Sequence, residues 1–243
     1  MKVIPIASTQ LHYYAINTET PYRLQELEND GTWGAAAIDE LAELAGRNCY
    51  QSWNRPNSKT ASNEGYLQNI IAQQHFSVME HGSVTFFVTG VSRALLAELT
   101  RHRHLSFSVV SQRYVDANDL SFVIPPIVFD LPVSDQAWTV ADLTSWFEVK
   151  TMDFYNELVE LFVKNGYKRK EAREAARAVL PNMTDTPLVV TGNIRAWRDV
   201  LGKRYHIAAD REIQGFATEV LKHLRVLAPN CVQDIGEKYG TEV

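Results

Sequence analysis

The stretch from Gly82 to His104 constrains the fold most, because a strand-forming run gives way in it to a helix-forming one. GSVTFFVTG, residues 82–90, is rich in β-branched and aromatic side chains and bounded by glycines, the pattern of a strand. SRALLAELTRH follows from Ser92, a run of good helix formers with a serine placed to cap it. A chain with this junction mixes helix and sheet, and the helix delivers Arg101, His102 and Arg103 at its C-terminal end.

The rest of the chain extends the mixture. VIPIA near the start reads as a short strand, and the stretch from there to Trp33 as irregular loop. Ile38, Leu41 and Leu44 predict a helix over 36–47 ending near Cys49 and Tyr50; after the loop NRPNSKT a second helix runs through Leu67, Ile70 and Ile71. A loop with Pro125, Pro126 and Pro132 leads to a long helix from about Trp138 to Lys164, with Phe147, Phe154, Leu158 and Leu161 on one face and Asn165 and Gly166 as its stop. A helix over roughly 169–179 ends before Pro181, PLVVTG at 187–192 reads as a short strand, and Asn193 caps a helix through Arg204. The last strong element carries Ile213, Phe216, Val220, Leu221 and Leu224. No repeat, low-complexity tract or Gly/Ser linker interrupts the 243 residues. The expectation is an α+β fold, helix-rich with a modest central sheet, as a single domain over 1–243.

Composition removes several classes of function. No apolar run approaches the ~20 residues of a membrane helix, and the start lacks the basic head and apolar stretch of a signal peptide, so a cytoplasmic protein with no membrane partner is expected. Two cysteines, Cys49 and Cys231, are too few for a disulfide framework or a tetrahedral thiolate zinc site; they read as packing residues, and no metal site is expected. A net charge of -5 opposes general nucleic-acid binding, so any anion site must be local.

That local excess lies in RHRHLSFSVVSQRY, Arg101 to Tyr114, which holds three arginines and two histidines and no acid as far as Arg113. Arginine forks pair bidentately with phosphate, and a helix end beside a loop adds backbone N–H groups and the hydroxyls of Ser106, Ser108 and Ser111. By itself the window reads more simply as a solvated basic turn. Ser111 has no evident base beside it and reads as a substrate anchor rather than a nucleophile. No G-x-G-x-x-G or Walker glycine loop appears, so neither a Rossmann nor a P-loop cofactor site is supported.

Arg101-His102-Arg103, seven residues and then Ser111 resembles the signature of flavin-dependent thymidylate synthases, and Arg113-Tyr114 extends the match. HFSVMEHGSVTF (His75 to Phe86), REAARAVLPN (Arg173 to Asn182) and TGNIRAWRDVLGKR (Thr191 to Arg204) resemble further blocks of that family in order. The resemblance spans most of the chain, from AGRNCYQSW near residue 45 to about residue 226. It implies FAD contacts for His75, Ser77, Arg101, His102, Arg103, Asn193, Ile194, Arg195 and Asp199, with Glu80 and His81 behind them. It implies dUMP contacts for Glu98, Leu99, Thr100, Arg101, Val109, Val110, Ser111, Gln112, Arg113, Arg177 and Arg204. Arg204 is the expected catalytic residue, a cation that stabilises charge developing on the uracil ring and so makes C5 a better nucleophile.

The chain departs from the family pattern at Ser108 and Val109, where relatives often carry Asn-Glu, and at Asp199, where they carry His or Asn. The reaction implied is methylation of dUMP to dTMP with 5,10-methylenetetrahydrofolate as carbon donor and NADPH-reduced FAD as hydride source. The assembly implied is a homotetramer with sites at subunit interfaces. Two other readings compete. A helical nucleotide phosphohydrolase would need magnesium-binding carboxylate pairs such as Glu40-Glu43. A nucleic-acid module would stack bases on Phe107 and Tyr114.

Overall fold

The computed structural model describes residues 1–21, 33–54, 57–130, 139–236 and 239. The expected loop over 22–32, the Arg55-Pro56 step of the second loop, Pro132 and the helix start at Trp138 lie outside them. Among the described residues four strands, β1 (Lys2–Ser8), β2 (Ser83–Thr89), β3 (Ser106–Val109) and β4 (Leu188–Asn193), form a sheet in the order β1-β2-β4-β3. The helices are α1 (Tyr13–Glu19), α2 (Trp33–Tyr50), α3 (Asn63–Ala72), α4 (Arg93–Leu99), α5 (Val140–Lys164), α6 (Arg169–Ala176), α7 (Ile194–Arg204) and α8 (Arg211–Leu227). The α+β reading holds, and the strand and helix expected on either side of Gly90 are β2 and α4.

Capping chemistry sets the helix starts. Ser92 Oγ accepts from Leu95 N at 3.1 Å to open α4, and Asn193 Oδ1 accepts from Ala196 N at 2.8 Å to open α7. Thr139 and Asp142 form a reciprocal capping box at the head of α5. Two elements depart from expectation. Residues 13–19, expected as irregular loop, form α1, a local helix that buries no residue and so leaves no apolar periodicity to read. β3, only four residues long, was not expected as a strand; it exists as the sheet neighbour of β4.

By its contacts the chain divides into two compact units. The first comprises Met1–Lys2, Val88–Arg101 and Phe107–Val189, the second Val3–Phe87, His102–Ser106 and Val190–Val243. Within the first, α5 and α6 pack as a hairpin around Tyr155, Val159, Ala172 and Ala176. The turn between them needs a left-handed residue, which Gly166 supplies at φ +90°. Of the face expected to be apolar, Leu158 packs against this cluster, whereas Phe147, Phe154 and Leu161 are exposed in this chain. α5 carries apolar residues on more than one side, and tertiary packing chose the stripe through Met152, Tyr155, Val159 and Phe162.

In the second unit α8 buries Ile213, Phe216, Val220, Leu221 and Leu224, as their spacing predicts. Trp197 of α7 is fully buried, donates from Nε1 to Val84 O at 3.2 Å and meets the Phe86 ring edge-on at 5.1 Å. A Cβ at Gly192 would lie 2.5 Å from Leu105 Cδ2 and 3.1 Å from the Trp197 ring, so only glycine lets β4 approach this close. Both cysteines are free: Cys231 is buried, but Cys49, expected to pack, is exposed in the last turn of α2.

Asp39 of α2 is 1% exposed and accepts the backbone N–H groups of Asn230 and Cys231, each at 2.9 Å, which ties α2 to the turn Asn230–Val232. Burial pushes its carboxyl up to about 6, against the pull of those hydrogen bonds. A carboxyl raised in the fold binds its proton more readily folded than unfolded, so its ionisation costs stability above that value and the cost is relieved as pH falls. Wild-type stability relative to Asp39→Asn, from urea unfolding, is therefore expected to rise as pH is lowered from about 7 to about 5. A flat or falling difference would show that the two N–H groups govern the ionisation instead.

Candidate functional site

At the head of α7 the second unit opens a cleft of about 350 Å³ lined by Glu80, His104, Asn193, Arg195, Ala196 and Asp199. That volume lies at the lower end for small-molecule sites, enough for one moiety of a larger ligand. Asn193 spends its carbonyl oxygen on the helix cap, so its amide N–H groups are what it can turn to a ligand. Arg195 is ion-paired with Glu80, both about half exposed. Of the residues the resemblance assigns to the flavin, Asn193, Arg195 and Asp199 are brought together here, with Glu80 beside them. His104 also lines the cleft; it was read only as part of the basic window and not as a contact.

Behind the cleft lies a polar chain. His102 is 6% exposed, and its Nδ1 lies 3.1 Å from Asp199 Oδ2 while its Nε2 accepts from Arg204 Nε at 3.1 Å. Lys203 Nζ holds the other Asp199 oxygen at 2.6 Å. Burial lowers the His102 pKa, only partly opposed by Asp199, and Arg204 lowers it further, so the imidazole is neutral at pH 7. Burial pushes Asp199 upward, but the hydrogen bonds from Lys203 and His102 outweigh it and keep the carboxyl below its ordinary value. Asp199 thus faces both the cleft and His102.

His75 and Ser77 lie elsewhere in this unit and do not line the cleft. His75 Nδ1 is 2.7 Å from Tyr50 Oη, and the rings stack at 5.9 Å; Ser77 is exposed on the turn Phe76–Glu80. Arg103 and His81 are exposed. The Ile194 side chain is wholly buried and its N–H bonds Gly82 O, so it serves packing.

The first unit holds most of the residues assigned to dUMP. Leu99 is buried; Glu98 and Arg101 join through the backbone, Arg101 N to Glu98 O at 3.3 Å; Thr100 Oγ1 donates to Ala97 O. Val109 ends β3, and Val110 N donates to Pro187 O. Ser111 O accepts from Tyr114 N and Val115 N, which fixes the turn that carries Gln112 and Arg113. Gln112 is 8% exposed, and among the described residues its Nε2 has no hydrogen-bond partner. A buried amide donor left this way costs roughly 1–3 kcal/mol unless something accepts from it, which fits a ligand oxygen. Arg113 reaches Glu174 at 3.5 Å.

Arg177, in the turn after α6, is close enough to Arg93 that its charge, added to burial, lowers the Arg93 pKa. Two guanidiniums near enough to repel gain from an anion that neutralises both. Arg93 was read from sequence only as a helix former; its charge opposite Arg177 appears only in the fold. Among the described residues no group of three or more His, Cys, Asp and Glu could hold a metal ion, and no helix is long and apolar enough to cross a membrane.

Fold and site define an α+β protein whose arginines, buried amide and helix end are groups that could meet an anionic ligand. The profile of the family described as thymidylate synthase complementing protein matches residues 35–230. A protein of Mycobacterium phage L5 named a probable flavin-dependent thymidylate synthase is 49% identical over 242 residues, 97% of each chain. The flavin-dependent thymidylate synthase of Mycobacterium avium is 46% identical over 203 residues, covering 80% of this chain and 78% of the relative. Thymidylate Synthase X from Helicobacter pylori, solved with FAD and dUMP, superposes with a TM-score of 0.59 at 20% identity, covering 95% of this chain and 99% of that one. The chain belongs to the flavin-dependent thymidylate synthase family.

Proposed function

We propose that this chain methylates dUMP to dTMP in the cytoplasm, with 5,10-methylenetetrahydrofolate as carbon donor and NADPH-reduced FAD as hydride source, as a homotetramer with sites at subunit interfaces. The observation that carries this reading is the cleft at the head of α7, where Asn193 and Arg195 stand beside an Asp199–His102–Arg204 chain. FAD is the group these donors would hold: the amide of Asn193, the guanidinium of Arg195 and the His104 ring suit an anionic, hydrogen-bonding ligand, and when bound it supplies the hydride.

The chain's own residues bind and polarise. Arg93 and Arg177 set two cations for the dUMP phosphate, and Gln112 offers a buried N–H to a carbonyl or phosphate oxygen. Arg204, oriented by a neutral imidazole, presents positive charge to the uracil oxygen and N3, where negative charge develops as C5 attacks the one-carbon unit.

The test is an absorbance spectrum of the purified protein, then anaerobic NADPH with and without dUMP. Flavin bands that bleach and, with methylenetetrahydrofolate, yield dTMP support the reading; protein that takes up no FAD and makes no dTMP overturns it. Arg93→Leu is expected to weaken dUMP binding by about ten- to a hundredfold with flavin content unchanged, since one charge-assisted hydrogen bond is lost. Unaltered dUMP affinity would remove Arg93 from the phosphate site.

A further inference from the structure

Asp199 is held between the buried His102 and Lys203, and these contacts point to a use. A guanidinium Nε can only donate, so Arg204 Nε at 3.1 Å from His102 Nε2 requires a lone pair on that nitrogen. In a neutral imidazole the proton then sits on Nδ1, where Asp199 Oδ2 accepts it at 3.1 Å. The other tautomer would set two N–H donors, on Nε2 and on Arg204, against each other, and buried His102 cannot turn to water for relief.

We propose that Asp199 is a positioning residue for Arg204: its carboxylate holds His102 in the Nδ1–H tautomer, the only neutral form that offers Arg204 an acceptor. The role for Arg204 toward dUMP rests on the function proposed above; the tautomer lock does not.

Lys203 makes the idea testable. Its ammonium takes Asp199 Oδ1 at 2.6 Å, and an ammonium also only donates. An asparagine at 199 has one oxygen for two donors. With that oxygen on Lys203, the amide N–H groups face His102 Nδ1 and force the proton to Nε2, against Arg204. Removing the lysine charge frees the oxygen to turn back to His102. Asp199→Asn should therefore be harmful alone and tolerated with Lys203→Met, a rescue that loss of packing at 199 would not produce.

The experiment compares FAD-loaded wild type, Asp199→Asn, Lys203→Met and the double variant. dUMP affinity is read from the flavin spectrum with kcat and KM, and the tautomer from nitrogen-15 histidine NMR of the same proteins without substrate, with His102 assigned through His102→Gln. Expected are Nδ1–H in wild type, Nε2–H in Asp199→Asn with kcat lowered about tenfold and flavin retained, and return of both readouts in the double variant. A wild-type His102 that is charged or protonated on Nε2, or a double variant no better than Asp199→Asn, overturns the lock. Wild type that shows the Nδ1–H tautomer but neither binds dUMP nor makes dTMP supports the lock and sinks the functional reading instead.

Discussion

Replacing Arg204 with leucine is expected to lower kcat for dTMP formation by about 10²–10³, the loss typical when one preorganised donor facing developing charge is removed. Arg204 ends α7 and is half-buried, with Nε fastened to a neutral His102, so its guanidinium is held in one orientation before substrate arrives. Leucine keeps the aliphatic bulk against the helix end, and flavin content and urea midpoint should stay close to wild type. Lysine keeps the charge without the planar fork and should recover only part of the loss. The check is kcat and KM for dUMP in all three proteins: a variant within a few-fold of wild type in kcat, with KM alone raised, would make Arg204 a binding group rather than one that acts in the transition state.

Trp197→Ala carries the largest expected cost in stability, about 3–5 kcal/mol for a fully buried aromatic, and the ring's hydrogen bond to Val84 O and its edge contact with Phe86 go with it. Against a total of roughly 5–15 kcal/mol for a native protein, this removes a large share of the stability. Trp197 lies on α7 between the cleft residues at its start and Arg204 at its end, and it packs beneath Gly192. FAD retention should therefore fall with stability, in contrast to Arg204→Leu. Urea unfolding at matched protein concentration reads the first effect and flavin absorbance after desalting the second. A loss below about 1 kcal/mol, within the range of ordinary surface substitutions and their scatter, would mean the cavity collapses without disturbing α7.

How much could be read without the fold differs by element. β2, α4, α7 and α8 were legible because each carries a strong local signal: β-branched and aromatic residues bounded by glycines, Ser92 and Asn193 as caps, and an apolar stripe through Ile213 to Leu224. α1 was not, because a helix that buries nothing needs no periodicity. β3 was not, because four residues of SFSV become a strand only beside β4. On α5 the sequence offered Phe147, Phe154 and Leu161 as readily as Tyr155 and Val159, and only the packing of α6 chose between them.

The sequence by itself determined the family, through its likeness to relatives, and the α+β class and the arginines and histidines that could meet anionic ligands, through residue type and spacing along the chain. The tertiary structure alone decided that Asp199 turns to His102 as well as to the cleft, that the Arg177 charge is near enough to help lower the Arg93 pKa, and that Gln112 is buried with its amide nitrogen unpaired among the described residues. The reason is physical: a pKa, a tautomer and an unsatisfied donor depend on which groups distant in sequence lie within about 4 Å, and on how little water reaches them.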